Sequence, residues 1–258
     1  MPGQEAFAAG HADAAGQLPY PGKPVENIPL QFMQNNIKKE IMTMGETKPV
    51  IKVNCFVVGA VQTNFYFLYR EGSPDTIVFD PADLGDRLYE ELDKRGLKVK
   101  AIFLTHAHFD HIMGLEALKE KTGAPVYACI HEKNVCESEM LNASMDFGHP
   151  LTVSPDHYLE DNEEITVADI TLKVLHTPGH TEGSCGYYIE DGHILISGDT
   201  LFQGSVGRSD FPTGDSQTLL DSIRTRLYTL PDDTTVFSGH GAETTIGYEK
   251  KHNWFVRA

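Results

Sequence analysis

The chain has 258 residues, 40% of them hydrophobic, which is enough to bury one sizeable core. A net charge of −16 argues against a general nucleic-acid or anionic-membrane surface. No stretch is long and apolar enough to span a bilayer, and no basic region leads into an apolar block. The four cysteines (Cys55, Cys129, Cys136, Cys185) lack paired spacing, so a reduced, cytoplasmic protein without disulfides is expected.

Residues 1–29 are rich in Ala, Gly and Pro and read as a tail. In residues 30–42, Leu30, Met33, Ile37 and Ile41 recur at three- and four-residue steps and predict a short helix. That helix either packs on its own domain or forms an arm that covers a neighbouring subunit in a homo-oligomer. Residues 1–49 are therefore read as an extension and 50–258 as the catalytic domain. From residue 50, strands are predicted at Ile51–Val58, Asn64–Tyr69 and Thr76–Phe79. A helix follows at Leu84–Arg95, with Leu84, Leu88 and Leu92 on one face and Gly96 as its stop. Next come strand Ala101–Leu104, a helix near Ile112–Lys121, strand Val126–Ala128 and a short helix at Glu132–Cys136. The second half has strands near Ile165–Val167, Ile170–His176, Cys185–Ile189 and Ile194–Ser197. Helix Ser216–Tyr228, strand Thr235–Phe237 and a last helix near Thr245–Lys251 complete it. Strands then helix, twice over, predict two sheets packed face to face with helices outside.

Directly after the strand-like Ala101–Leu104 stands Thr105-His106-Ala107-His108-Phe109-Asp110-His111. It holds four metal-ligand side chains, since neutral imidazole and carboxylate suit zinc and similar divalent ions. The plainer alternative makes Asp110 a helix N-cap and the histidines polar surface residues. Three further strand ends oppose it. His180 follows Ile170–Leu175, Asp199 ends Ile194-Leu195-Ile196-Ser197-Gly198-Asp199, and His240 follows Thr234–Phe237 in Ser238-Gly239-His240-Gly241. In each case a β-run stops, small residues follow and one ligand-type side chain appears.

These motifs, in this order, resemble the metallo-beta-lactamase superfamily, and within it glyoxalase II and its short bacterial relatives. The stretches Gln62-Thr63-Asn64, Phe79-Asp80-Pro81, Asn142-Ala143-Ser144, Gly198–Phe202 and Gly207-Arg208-Ser209-Asp210-Phe211-Pro212 add to the resemblance, which covers about residues 50–255. It implies an α/β fold, the αββα sandwich of two mixed sheets, with the ligand loops at one edge. It implies two divalent metal ions, zinc first and iron or manganese as alternatives. His106, His108 and His180 would hold one ion, and Asp110, His111 and His240 the other. Asp199 would bridge them, because a carboxylate can bind two ions at once and imidazole cannot. Asp110 and Asp199 are the expected catalytic carboxylates. A water shared by such a pair ionises near neutral pH and attacks a thioester carbonyl, and the thiolate leaves with little need of a proton. The partner implied is a small-molecule thioester such as S-lactoylglutathione. Asp80 is read either as a carboxylate that orients a ligand imidazole or as an Asp-Pro turn, and Arg208 as a salt-bridge partner of Asp210 or a substrate anchor. His149 and Tyr187 are read as pocket candidates.

Eighteen residues follow His240, so the C-terminal helical domain of full-length glyoxalase II is not expected. The family's Phe-Pro-Gly-Gly-Asp reads Phe211-Pro212-Thr213-Gly214-Asp215 here. The alternative functions are a persulfide dioxygenase with one iron on two histidines and an aspartate, a lactonase, and a non-catalytic binding module. Retention of every ligand position speaks against the last, and His240 favours the dinuclear hydrolase over the dioxygenase.

Overall fold

A strand that is apolar on both faces needs cover on both sides, and the first half of the chain is built from such strands. The computed structural model describes residues 31–35 and 48–257. The first sheet takes β1 (Gln31–Asn35), β2 (Ile51–Val58), β3 (Thr63–Arg70), β4 (Asp75–Phe79), β5 (Lys98–Phe103), β6 (Val126–Cys129) and β7 (His157–Leu159), in that spatial order. β1 to β4 are antiparallel neighbours, and β4 to β7 run parallel. The parallel crossovers carry α1 (Gly85–Lys94), then α2 (Phe109–Ile112) and α3 (Leu115–Thr122), then α4 (Lys133–Cys136). The second sheet takes β8 (Glu164–Val167), β9 (Ile170–His176), β10 (Cys185–Ile189) and β11 (Ile194–Gly198). A small hairpin, β12 (Leu201–Phe202) and β13 (Ser205–Val206), precedes α5 (Ser216–Ser222). Strands β14 (Thr235–Ser238) and β15 (Thr244–Thr245) then complete the sheet in the order β15-β14-β11-β10-β9-β8, and α6 (Ile246–His252) closes the fold.

The period of two sorts the side chains between layers. Ile51, Val53, Tyr66, Leu68, Ile77, Phe79, Ala101 and Phe103 meet Leu172, Val174, Tyr187, Ile196 and Phe237 between the sheets. The opposite face of β2 and β3 presents Phe56, Phe65 and Phe67 as one aromatic group, with Arg95 over Phe56. On the far side, Leu219, Ile223, Leu227 and Ile246 pack on Leu175, Leu195 and Val236. This is the expected αββα sandwich. All four cysteines are buried and free. No helix among the described residues is long and apolar enough to cross a membrane.

Some expectations are corrected. The predicted helix over 30–42 is a strand where it is described: β1 pairs antiparallel with β2. The open edge of β2 supplies backbone partners that a four-residue apolar spacing cannot reveal. Residues 1–30 and 36–47 lie outside the described residues, and with them the tail and the proposed arm. The helix near Ile112–Lys121 is two helices broken at Gly114. Gly114 N–H donates to Pro81 O, and a Cβ there would sit 2.8 Å from that oxygen. The predicted Ser216–Tyr228 helix widens into a π-turn over Ile223–Leu227. There Thr225 Oγ1 donates back to Asp221 O, a bond that competes with the helix ladder.

The topology places the site. β9 and β11 each run antiparallel to β10, and β14 runs parallel to β11, so β9, β11 and β14 point the same way. β4 and β5 are likewise parallel. Asp80 follows β4, the His106–His111 segment follows β5, and His180, Asp199 and His240 follow β9, β11 and β14. Asn64 N–H donates to Gly239 O, and Cys185 N–H to Thr105 O, which seams the two sheets at this edge.

Candidate metal centre

All seven sequence-predicted ligands converge. His106 and His108 precede α2, His108 on extended backbone as its N-cap, and α2 starts at Phe109, which swings Asp110 and His111 onto a helical turn. His106, His108 and His180 form one cluster. Asp110, His111 and His240 form another, and His106, His111 and Asp199 a third between them. His180 Nε2 lies 3.2 Å from His106 Nε2 and 2.9 Å from His108 Nδ1. His240 Nε2 lies 3.3 Å from Asp110 Oδ2 and 3.4 Å from Asp199 Oδ2. Asp199 also places Oδ1 3.5 Å from His111 Nε2 and Oδ2 3.7 Å from His180 Nε2, so it reaches both outer clusters.

Hydrogen bonds behind the ligands set the ring tautomers. His180 Nδ1–H donates to Arg208 O at 2.6 Å. Thr105 Oγ1 spends its proton on Asp80 Oδ2, so His106 Nδ1–H donates to Thr105 Oγ1 at 3.1 Å. The Nε2 lone pairs of His106 and His180 therefore face each other, an arrangement that repels unless a cation sits between them. His111 Nε2 and Asp199 Oδ1 are buried without a hydrogen-bond partner. Buried polar atoms are normally paired, and the donor set suits a divalent ion. The residues fit metal.

Charge separates the two halves. Burial depresses His108 to about 3 and also lowers His106 and His180, which leaves all three neutral, the ligand form. Burial opposes charge on Asp110 and Asp199 too, but the neighbouring His111 and His240 outweigh it: Asp110 falls to about 2 and Asp199 well below its usual value. In turn Asp199 and Asp110 overcome burial to lift His240 to about 10 and His111 well above its usual value.

Of its two alternative readings, Asp80 takes the one beside a ligand imidazole. It ends β4 with φ 49°, and its Oδ1 accepts Thr105 N–H at 2.7 Å while Oδ2 accepts His111 Nδ1–H at 3.1 Å. Such partners raise metal affinity by fixing the ring. Asp80→Ala is expected to weaken the Asp110–His111–His240 position about 10- to 100-fold, measured by chelator competition. An unchanged constant would show that His111 needs no orienter.

Sequence reasoning missed several supports. Thr63 Oγ1 donates to Asp110 Oδ2 at 2.9 Å, and Asn64 Nδ2 donates to Ser238 O and Gly241 O, clamping the His240 loop. The Gln62-Thr63-Asn64 stretch was a signal for these, without a role. Glu132 is 1% exposed and accepts Ala107 N–H and Thr181 Oγ1–H. Burial pushes its carboxyl up to about 8. Nothing in Cys129-Ile130-His131-Glu132 separates it from a surface acid. Gly239 is required by approach: a Cβ there would lie 2.1 Å from Asp199 Oδ1.

The remaining candidates resolve elsewhere. Arg208 pairs with Asp210 at 2.7 and 2.8 Å and lies 3.9 Å over the Phe211 ring, the structural reading. Phe211 in turn lies against His108. Tyr187 is not in a pocket; its hydroxyl donates to Leu104 O within the core between the sheets. His149 is exposed. Thr213, where the resemblance expects glycine, takes φ 68° and accepts Glu182 N–H through Oγ1.

The family model of the metallo-beta-lactamase superfamily matches residues 58–240. A probable metallo-hydrolase of Bacillus subtilis, YqgX, is 43% identical over 201 residues, 77% of this chain and 94% of that protein. The hydroxyacylglutathione hydrolase GloC of Haemophilus influenzae is 33% identical, over 81% of this chain and 99% of its own. Among solved structures, BLEG-1 B3 metallo-beta-lactamase superposes with a TM-score of 0.76 at 40% identity, covering 81% of this chain and 100% of that one. TTHA1623 in a di-iron-bound form has a TM-score of 0.69 at 35% identity, covering 78% and 98%. With these matches and the clustered His and Asp side chains, the chain belongs to the metallo-beta-lactamase superfamily.

Proposed function

We propose that this protein is a metal-dependent hydrolase of small acyl-thiol esters, with S-lactoylglutathione or a related thioester as substrate and two divalent ions, zinc first, as cofactors. The observation that carries the reading is His240, which closes the second cluster at 3.3 Å from Asp110 and 3.4 Å from Asp199. A two-histidine, one-aspartate iron site has no use for it. The name of the Haemophilus influenzae relative, hydroxyacylglutathione hydrolase, supports the substrate class.

Two ions held by these seven side chains would supply Lewis acidity for the carbonyl and a low-pKa water. The chain's own groups do the rest. The depressed histidines offer lone pairs without first losing a proton. Asp199 Oδ2 faces both halves, 3.7 Å from His180 Nε2 and 3.4 Å from His240 Nε2. Thr63 and Asp80 hold Asp110 and His111 from behind. No tyrosine acid is called for: Tyr66 and Tyr187 spend their hydroxyls on Ser238 O and Leu104 O. A thiolate leaving group, with a reference pKa near 8.5, departs without one. With its net charge of −16, the protein is read as acting on a small molecule rather than on nucleic acid or an anionic membrane.

Steady-state assays on one metal-analysed sample test the reading, with S-lactoylglutathione, shorter thioesters, a β-lactam, and glutathione persulfide at an oxygen electrode. Thioester cleavage is expected to exceed the other activities by at least about ten-fold in kcat/KM. Oxygen uptake without thioester cleavage in an iron-loaded sample would establish the dioxygenase. β-Lactam hydrolysis without thioester cleavage would replace the substrate class.

A further inference from the structure

We propose that Glu132 is a positioning residue for the first metal position, tying together the two loops that carry His106, His108 and His180. The inference rests on the dinuclear reading above. Glu132 lies in the single 3-10 turn Ile130–Glu132 beyond β6 and is no ligand itself. Its Oε1 accepts the N–H of Ala107, the residue between His106 and His108, at 2.8 Å. Its Oε2 accepts the hydroxyl of Thr181, the residue after His180, also at 2.8 Å. Gly183 N–H acts on the carboxyl in the same sense, lowering it against burial. One carboxylate thus holds both halves of the histidine triad.

Two further observations support a built clamp. The His180 loop rests directly on the Glu132 turn, where a Cβ on Gly183 would lie 2.1 Å from Glu132 N and 2.3 Å from its Cα. And no lysine or arginine pairs with Glu132 among the described residues; its partners are neutral donors. A buried acid without a cation is costly, and an apolar side chain of similar size would pack at less cost. What the acid offers is two oxygens at a fixed separation, one in contact with each loop. The second position has separate supports. Thr63 holds Asp110, Asp80 holds His111, Asn64 holds the His240 loop, and Phe109 N–H is fixed to Asn142 O. Loss of Glu132 should therefore fall on the first position and spare the second.

The test is a stepwise zinc titration of metal-free protein against a chromophoric chelator, with melting of the metal-free protein as a second readout. Glu132→Gln keeps the volume and one acceptor, Glu132→Asp is one methylene too short to reach both loops, and Thr181→Val removes one tie. In a His240→Ala background, which disables the second position, each should weaken zinc binding about 10- to 100-fold. In an otherwise wild-type background, one of the two steps should weaken by the same factor and the other hold. Unchanged constants in all three variants would overturn the proposal. So would an equal loss at both steps accompanied by a lower melting temperature before metal is added, since that describes general loosening. Should Glu132→Asp fail to fold, Glu132→Gln and Thr181→Val decide the matter. A parent protein that takes up one zinc in one step would reject the dinuclear reading by itself. Glu132 is then judged on that step, where a weakened constant keeps the inference and an unchanged one ends it.

Discussion

Asp199→Ala is expected to lower hydrolysis by on the order of a thousand-fold or more while the protein stays folded. Asp199 lies within 3.7 Å of ligand nitrogens from both outer clusters, His180 on one side and His111 and His240 on the other. Without it, two cations would face each other with no shared anion. The loss exceeds that for an orienting residue such as Asp80, because a direct ligand to both positions disappears rather than its support. The fold should persist because Asp199 follows β11 at the edge of its sheet, outside the packed apolar layers. Nor does the backbone bend depend on the side chain. Asp199 O abuts Gly207, which has no Cβ, and Gly239 leaves room on the other side. Turnover should be measured at saturating zinc beside a circular dichroism melt. Near-normal turnover in the metal-replete variant would remove Asp199 from the bridging role.

The ligands were legible in the sequence because each is local. A β-run that ends in small residues and one imidazole or carboxylate is a pattern of a few positions, and His106 to His111 needed only one loop. Strands β9 and β10 were placed at Ile170–His176 and Cys185–Ile189 for the same reason, with strong alternation and clear flanks. What escaped was non-local. β1 is a strand because β2 offers it an edge, although its apolar spacing reads as helical. β12, β13 and β15 have two residues each and exist through their pairing partners. Glu132 and Thr63 look like surface residues until the fold sets them behind Ala107 and Asp110. Gly114 reads as a helix residue until Pro81 O is found where its side chain would be. The chemistry of the centre was written in single loops, and its scaffolding in contacts between them.

The same division predicts that the two metal positions answer pH differently. In the metal-free protein His240 titrates at about 10 and His111 well above its usual value, both held up against burial by Asp110 and Asp199. Both are therefore protonated at pH 7, and a metal entering beside Asp110 must displace those protons. Loading that position should release about two protons, so its apparent affinity should rise about 100-fold per pH unit while both rings stay charged. The first position should differ in kind. Burial leaves His106, His108 and His180 neutral near pH 7, with His108 at about 3, so zinc enters there without displacing a proton. Linkage to folding carries the matching sign. The folded value of His240 is raised, so its ion pair stabilises the metal-free protein fully below the unfolded value near 6.5 and ceases to do so as pH rises through about 10. Calorimetric zinc titrations in buffers of different ionisation enthalpy, repeated from pH 6 to 8, would count the protons released at each step. One step that releases protons and one that does not is the expected outcome. Equal release at both steps would mean that the carboxylates do not confine charge to the Asp110–His111–His240 side, and the electrostatic division of the centre would be wrong.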